Sequence, residues 1–424
     1  MPEGSTEWTK EIGEIVDKLY NSDLDFVTAL LKALVRKGLR LVIVLDNTDQ
    51  LGEEFQEQVF LFAQRLSQEH RALCIVTLRE ERFFAAFRRG IFDAFGDRRF
   101  HIGAPDLSRV LRKRLEYGIK KFRDLVAGGE LILTEEDLKQ VETLIGVMIR
   151  STTQNNTNIV RMLACVSNGD MRHALDMFRD FVSSGNTNVN KILDIYEREG
   201  NYIVPFHEFA KSAILGSRKY FRGSRSNIVN LFKKSAARRA SHITGLRLLA
   251  RLSRAEDSSS EHGEGFVRTV NLLKEYRSSF GYAEDFEEQA GEFIRRGLVE
   301  SEPPRATGAL NANAMRISAS GSYYWRYLVR AFAYLDLVWV DTAIVDRTVA
   351  KRMAEVGDSV DMTSRFERVR LFLNYLAQQE QIELDEVAKR SGPYRQALIP
   401  DIRDQIEKEI KVIAKKIGIF NPDT

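Results

Sequence analysis

Along the first hundred residues the apolar positions switch between two periods. From Leu24 to Arg36 they recur at helical spacing and Gly38 closes the segment, whereas Leu41 to Leu45 is an unbroken apolar run rich in branched side chains. That order predicts a helix followed by a buried strand. Phe55, Val59, Phe60, Phe62, Ala63 and Leu66 predict a second helix, Ala72 to Val76 a second buried strand, and Phe100 to Ile102 a short third strand ahead of Pro105. Strands that alternate with helices run parallel, are joined by crossover helices and are covered on both faces.

Beyond Leu107 the period is purely helical, through Leu107, Val110, Leu111 and Leu115, then Leu138 to Ile149, then Ile159 to Val182. Residues 105–185 therefore read as a helical lid or connector, bounded by the turn-rich Ser183 to Asn190. In 186–345 a basic linker precedes helices predicted at Thr244 to Leu252, Phe266 to Arg277 and Asp285 to Arg296, with Ser253 to Gly265 as an exposed loop. Gly297-Leu298-Val299, a Pro/Gly/Asn loop and a returning strand at Met315 to Ser318 follow. Helix, helix, helix, strand, loop, strand is the order of a winged helix. Tyr323 to Val345 reads as one core helix, 346–424 is again helical, and no internal repeat is present. The fold class expected is mainly α, with a partial parallel α/β core in 1–104.

Composition bounds the functions. At 424 residues, 44% apolar and 29% charged, the chain has the makeup of two to four globular domains and not of a disordered polymer. The net charge of +3 gives no bulk affinity for nucleic acid, so such affinity needs a local patch. Cys74 and Cys165 sit in apolar settings and read as reduced, buried thiols of a reducing compartment, which places the protein in the cytoplasm. The start lacks a basic flank followed by an apolar core. Tyr323 to Val345 is interrupted by Arg326, Arg330, Asp336 and Asp341, each costing about 2.5–3.5 kcal/mol at a bilayer centre, so no membrane is expected as a partner. The Asn155-Asn156-Thr157 sequon reads as chance, and the six histidines show no ligand spacing.

Candidate chemistry begins at Asp46, a carboxylate delivered by the apolar strand at its carboxyl end. Ligands of open α/β sheets bind there, and a hard cation such as magnesium takes carboxylate oxygen beside nucleotide phosphates. The alternative is an aspartate that caps the following turn. One strand later Thr77-Leu78-Arg79 again places polar residues at a strand end, where the Arg79 guanidinium could meet a terminal phosphate bidentately or be an ordinary surface arginine.

Asp46 resembles a Walker B aspartate, and Thr77-Leu78-Arg79 resembles the sensor 1 "T-x-R" of STAND ATPases, AAA+ relatives that act as nucleotide-gated switches in signalling and defence. Asn168-Gly169-Asp170-Met171-Arg172-His173-Ala174-Leu175 is similar to the "G-D-x-R-x-A-L" helix in the lid of origin-recognition AAA+ proteins, with Arg172 at the sensor 2 position. In element order the resemblance runs from Leu24 to Tyr324. It implies ATP and magnesium as cofactors of a parent protein, with Asp46 toward the metal, Thr77 and Arg79 toward phosphate, Arg172 reporting lid closure, and a protein partner or a second copy as the target of the switch.

Two departures matter. The chain has no G-x-x-x-x-G-K-[ST], hence no lysine and no clustered N–H groups for the phosphates, so no autonomous hydrolysis is expected. Asn47 follows Asp46 where many of these enzymes carry a glutamate; Asp49 is a weaker substitute base, offset by a turn. A parallel sheet lacking its phosphate-loop strand leaves backbone groups unpaired at about 1–3 kcal/mol each, so truncation of a longer protein is the expectation.

A second reading rests on Ala210 to Ala255, which holds no acid and includes Arg218, Lys219, Arg222, Arg225, Lys233, Lys234, Arg238 and Arg239. Such a stretch suits DNA, or acidic elements of its own chain. The expected recognition helix opens Glu284-Asp285-Phe286-Glu287-Glu288, and carboxylates facing phosphates repel them, so a protein-facing role fits better. A third reading is a non-catalytic interaction module using Asp346 to Gly418.

Overall fold

The unbroken run after Gly38 forms a strand as its pattern requires. In the computed structural model, which describes residues 6–20, 23–48, 52–70, 72–78, 100–153, 157–391 and 397–418, the chain divides into two compact units, Met1–His101 and Ile102–Thr424.

The first unit consists of α1 (Thr6–Tyr20), α2 (Asp23–Arg36), β1 (Val42–Leu45), α3 (Glu53–His70) and β2 (Leu73–Val76). Gly38, at φ +74°, takes the left-handed turn that ends α2 and that a side chain would resist. β1 and β2 pair in parallel, from Val42 opposite Leu73 to Leu45 opposite Val76, and Thr77 N–H extends the ladder to the Leu45 carbonyl. Leu41, Ile43 and Cys74 pack against Leu31 of α2 and Leu66 of α3. The expectation of two covered faces fails: Val42, Val44, Leu73 and Ile75 share the other face and are 43–57% exposed. Alternation sends these residues to the side of the sheet opposite α2 and α3. The third strand is also absent, since 100–102 are irregular and Phe100 and Ile102 are 88% and 90% exposed. Among the described residues no neighbouring strand pairs with them.

The second unit is helical at its start: α4 (Leu107–Ala127), α5 (Glu135–Thr153), α6 (Thr157–Val166), α7 (Met171–Ser183), α8 (Val189–Glu199) and α9 (Phe206–Leu215). An irregular stretch from Ser217 to His242 leads into α10 (Thr244–Ser253). A short hairpin, β3 (Ser259–Ser260) with β4 (Gly263–Glu264), lies inside the segment expected to be a plain loop. Then come β5 (Val267–Arg268), α11 (Thr269–Glu275), a π-helical turn at Tyr276–Phe280, α12 (Ala283–Arg295), β6 (Val299–Glu302) and β7 (Ala314–Ile317). β5, β7 and β6 form an antiparallel sheet in that order. The helix predicted from Phe266 therefore starts three residues late, because Val267 and Arg268 pair with Met315 and Ala314.

Tyr323 to Val345 is not one helix. It is divided among α13 (Ala319–Arg326), α14 (Phe332–Val338) and 3₁₀ turns at Leu328–Arg330 and Trp339–Asp341. The four charges that interrupt the apolar run explain the breaks, since each has its own partner. Arg326 pairs with Glu256, Arg330 with Asp401 at 3.0 Å, and Asp336 with Arg365 and Arg368. Asp341 accepts from the Gly223 N–H at 3.0 Å. The chain closes with α15 (Arg347–Glu355), α16 (Met362–Ser391) and α17 (Ile399–Lys416). One hydrophobic core runs from Leu107 to Ala414.

The whole is mainly helical, with three small sheets among the described residues. No helix there is long and apolar enough to cross a membrane. Cys74 and Cys165 are free thiols, half-buried rather than buried.

Candidate functional site

Parallel pairing in register makes the residues just past β1 and β2 neighbours. Leu45 lies opposite Val76, so Asp46 and Thr77 leave the sheet side by side. The Thr77 hydroxyl donates to Asp46 Oδ1 at 2.5 Å, and the Asn47 N–H donates to the same oxygen at 2.9 Å. Asn47 holds that geometry at φ +60°, a left-handed conformation that asparagine tolerates better than most residues. The turn is closed by Thr48, which is buried and whose hydroxyl donates to the Leu45 carbonyl at 3.3 Å.

Two donors on one oxygen stabilise the charged form. The Thr77 hydroxyl, and then the Asn47 N–H, hold the exposed Asp46 carboxyl below its ordinary pKa. The carboxylate is therefore ionised at neutral pH and oriented through Oδ1, and among the described residues no hydrogen bond reaches Oδ2. The turn-capping alternative accounts for the bond to Asn47 but not for the bond across the sheet to Thr77. Of the residues sequence analysis selected, the structure brings these two together. Asp49 and Arg79 lie outside the described residues.

A carboxylate oxygen beside a hydroxyl is a hard donor set. It suits magnesium, which keeps several waters and takes one or two carboxylates plus substrate phosphates. Among the described residues no group of three or more His, Cys, Asp or Glu could hold a metal by itself. A cation held at Asp46 would rely on water and a ligand for its other positions.

Arg172 stands in the second unit, exposed in the first turn of α7. That helix starts where the Asn-Gly-Asp sequence dictates. Asn168 and Gly169 take φ of +51° and +80°, and Asp170 caps the helix by accepting from the His173 N–H at 3.1 Å. Asp170 and Gly169 thus have a local structural role of their own, whereas Arg172 is left outward.

The stretch from Ala210 to Ala255 is free of acids in sequence but not in space. Arg247 is buried against Glu383 at 2.7 Å, Arg239 meets Glu386 at 2.9 Å, and Arg251 meets Glu275 at 3.4 Å. Arg218 donates to the carbonyls of Arg225 and Ile214. The acidic start of α12 is occupied by the same stretch: Glu288 accepts from Ala236 N–H, Asp285 from Ser241 N–H, and Gln289 donates to the Lys233 carbonyl. Lys219 leans over the Tyr220 ring and Lys234 is half-buried. Arg222, Arg225, Lys233 and Arg238 remain exposed. The alternative of acidic elements of its own chain thus holds for these residues; which acids they are was not legible because Glu386 lies 147 residues from Arg239, the available signal being the cluster of glutamates from Glu380 to Glu386.

Compared with models of known families, with curated proteins and with solved structures, the chain gives no match.

Proposed function

We propose that the first unit carries the metal-and-sensor side of a magnesium–nucleotide site of the AAA+/STAND kind, and that the protein acts as a nucleotide-dependent regulatory switch in the cytoplasm. The bond from Thr77 to Asp46 carries this reading. It fixes an ionised carboxylate at the carboxyl ends of adjacent parallel strands, the position where α/β sheets bind ligands.

Asp46 would receive magnesium through water at Oδ2, and Thr77 would keep its rotamer. Arg79 retains the phosphate-facing role the resemblance implies, Arg172 that of reporting lid closure, and Asp49 that of a weak substitute base. Because the 424 residues contain no G-x-x-x-x-G-K-[ST], the loop that grips the β- and γ-phosphates comes from other polypeptide, covalently attached or not. In the second unit, three helices with an antiparallel sheet ordered β5-β7-β6 support a winged helix. The acidic start of its third helix is bound to the chain's own basic stretch, which favours a protein partner or a second copy over major-groove reading at that helix.

The test is binding of a fluorescent ATP to a product that includes a phosphate loop, or to this chain mixed with one. Asp46→Asn is expected to weaken magnesium-dependent binding at least about tenfold, as loss of a metal-site carboxylate does. Magnesium dependence unchanged by Asp46→Asn overturns the proposal. The 424-residue chain alone is expected to show no micromolar ATP binding.

A further inference from the structure

Among the described residues a second concentration of exposed cations, outside the Ala210 to Ala255 stretch, lies on the single helix α4. That helix carries seven lysines and arginines, Arg109, Arg112, Lys113, Arg114, Lys120, Lys121 and Arg123, against two acids, Glu116 and Asp124. At about 100° per residue, Arg109, Lys113 and Lys120 lie within about 40° of one another, on the side opposite Leu111 and Leu115. Leu107 and Leu111 are buried in the core of the second unit and Leu115 packs against it, so the first half of the apolar side of α4 is spent on packing.

Partners sort the cations into two groups. Arg112 pairs with Glu116 at 2.8 Å and Arg123 with Glu142 at 2.6 Å. Arg109, Lys113, Arg114, Lys120 and Lys121 are exposed, and among the described residues none of them has an ion pair. Between them stands Tyr117, 68% exposed, a hydroxyl donor of the kind that binds phosphate oxygens. From Arg109 to Lys120 the stripe rises about 16 Å, the length of several phosphate steps of a duplex.

We infer that the exposed face of α4 docks the phosphate backbone of duplex nucleic acid without reading its sequence. Charge complementarity selects this partner: a rigid row of free cations matches a polyanion whose charges are also in a row, and neutralising it releases condensed counterions. A helix that binds a lipid surface needs its apolar face available for the acyl boundary, and here Leu107, Leu111 and Leu115 of that face belong to the core. The inference is independent of the nucleotide site.

The test is fluorescence anisotropy of a labelled 20-base-pair duplex with the whole chain across about 20–200 mM salt. Three to five neutralised phosphates predict a slope of log K against log salt of about −3 to −5. The triple variant Arg109→Gln/Lys113→Gln/Lys120→Gln is expected to bind at least tenfold more weakly and to flatten the slope by about 3. The triple variant Arg222→Gln/Arg225→Gln/Arg238→Gln is expected to bind as the parent does. All six positions are exposed, and circular dichroism verifies the fold of both variants. Absence of duplex binding, equal loss in the two variants, no loss in the α4 variant, or binding to phosphatidylserine vesicles without binding to duplex would each overturn the inference.

Discussion

The parallel sheet of the first unit and the three-stranded sheet of the second answer the same physical demand in opposite ways. In the first unit, β1 and β2 bury one face against α2 and α3 and leave Val42, Val44, Leu73 and Ile75 in water. In the second, β6 and β7 place Val299, Met315 and Ile317 in a core that also buries charges, each with a partner. The contrast is between apolar groups left exposed and charged groups enclosed beside a counter-charge. It teaches that, among the described residues, the second unit encloses its sheet in a core while the first leaves one sheet face open, as the proposed completion by other polypeptide would require.

Removing a charge from inside the second unit should have the largest effect. Asp336 is buried between Arg365, at 2.7 Å, and Arg368, whose guanidinium also donates to the carbonyls of Val356, Gly357 and Ser359. Asp336→Ala strands two cations and is expected to cost about 3–5 kcal/mol in urea unfolding. A loss under 1 kcal/mol would show that water reaches this pair.

Acid should act on the same unit. The His242 imidazole lies between the Phe232 carbonyl, 2.7 Å from Nδ1, and the Tyr375 hydroxyl, 3.0 Å from Nε2. Burial pushes its pKa down to about 4. The folded state thus favours the neutral ring, so the contribution is complete above the unfolded value of about 6.5 and is lost as pH falls toward about 4, on the order of 3 kcal/mol in total. Unfolding measured from pH 7 to 4 should show this slope in the parent and a shallower one in His242→Gln.

A smaller effect is expected where α13 meets the start of β6. A Cβ on Gly321 would stand 2.1 Å from the Leu298 carbonyl oxygen. Gly321→Ala should therefore cost about 1–3 kcal/mol through overpacking, read as a lower urea midpoint with unchanged slope.

These expectations also mark what the sequence could tell. β1 and β2 were legible because an unbroken branched run bounded by turn residues has few other solutions, and the period of α4 to α7 is regular. The bare sheet face was not, since an apolar run looks the same whether its second face is covered or open. Ser217 to His242 was unreadable for another reason: it is irregular yet buries Ile228 to Phe232, and side chains distant in sequence satisfy the backbone there. Tyr324 and Tyr334 hydroxyls accept from the N–H groups of Val229 and Leu231. At the candidate site, the adjacency of Asp46 and Thr77 followed from parallel pairing, but the hydroxyl bond that sets the carboxylate depends on a turn at Asn47 that no periodicity encodes.

The smallest effect on stability, and the sharpest on the site, should come from Thr77→Val. It leaves β2 paired but removes the first of the two donors on Asp46, so the carboxyl pKa should rise toward its ordinary value in an NMR titration while the urea midpoint scarcely moves. An unchanged Asp46 titration would mean that the bond does not persist in solution.

The most direct measurement of the central claim uses manganese in place of magnesium. With ATP and a phosphate loop present, paramagnetic broadening should fall first on the amides of Asp46, Asn47 and Thr77 and disappear in Asp46→Asn. Broadening that spares these residues, or that persists in Asp46→Asn, would contradict the account.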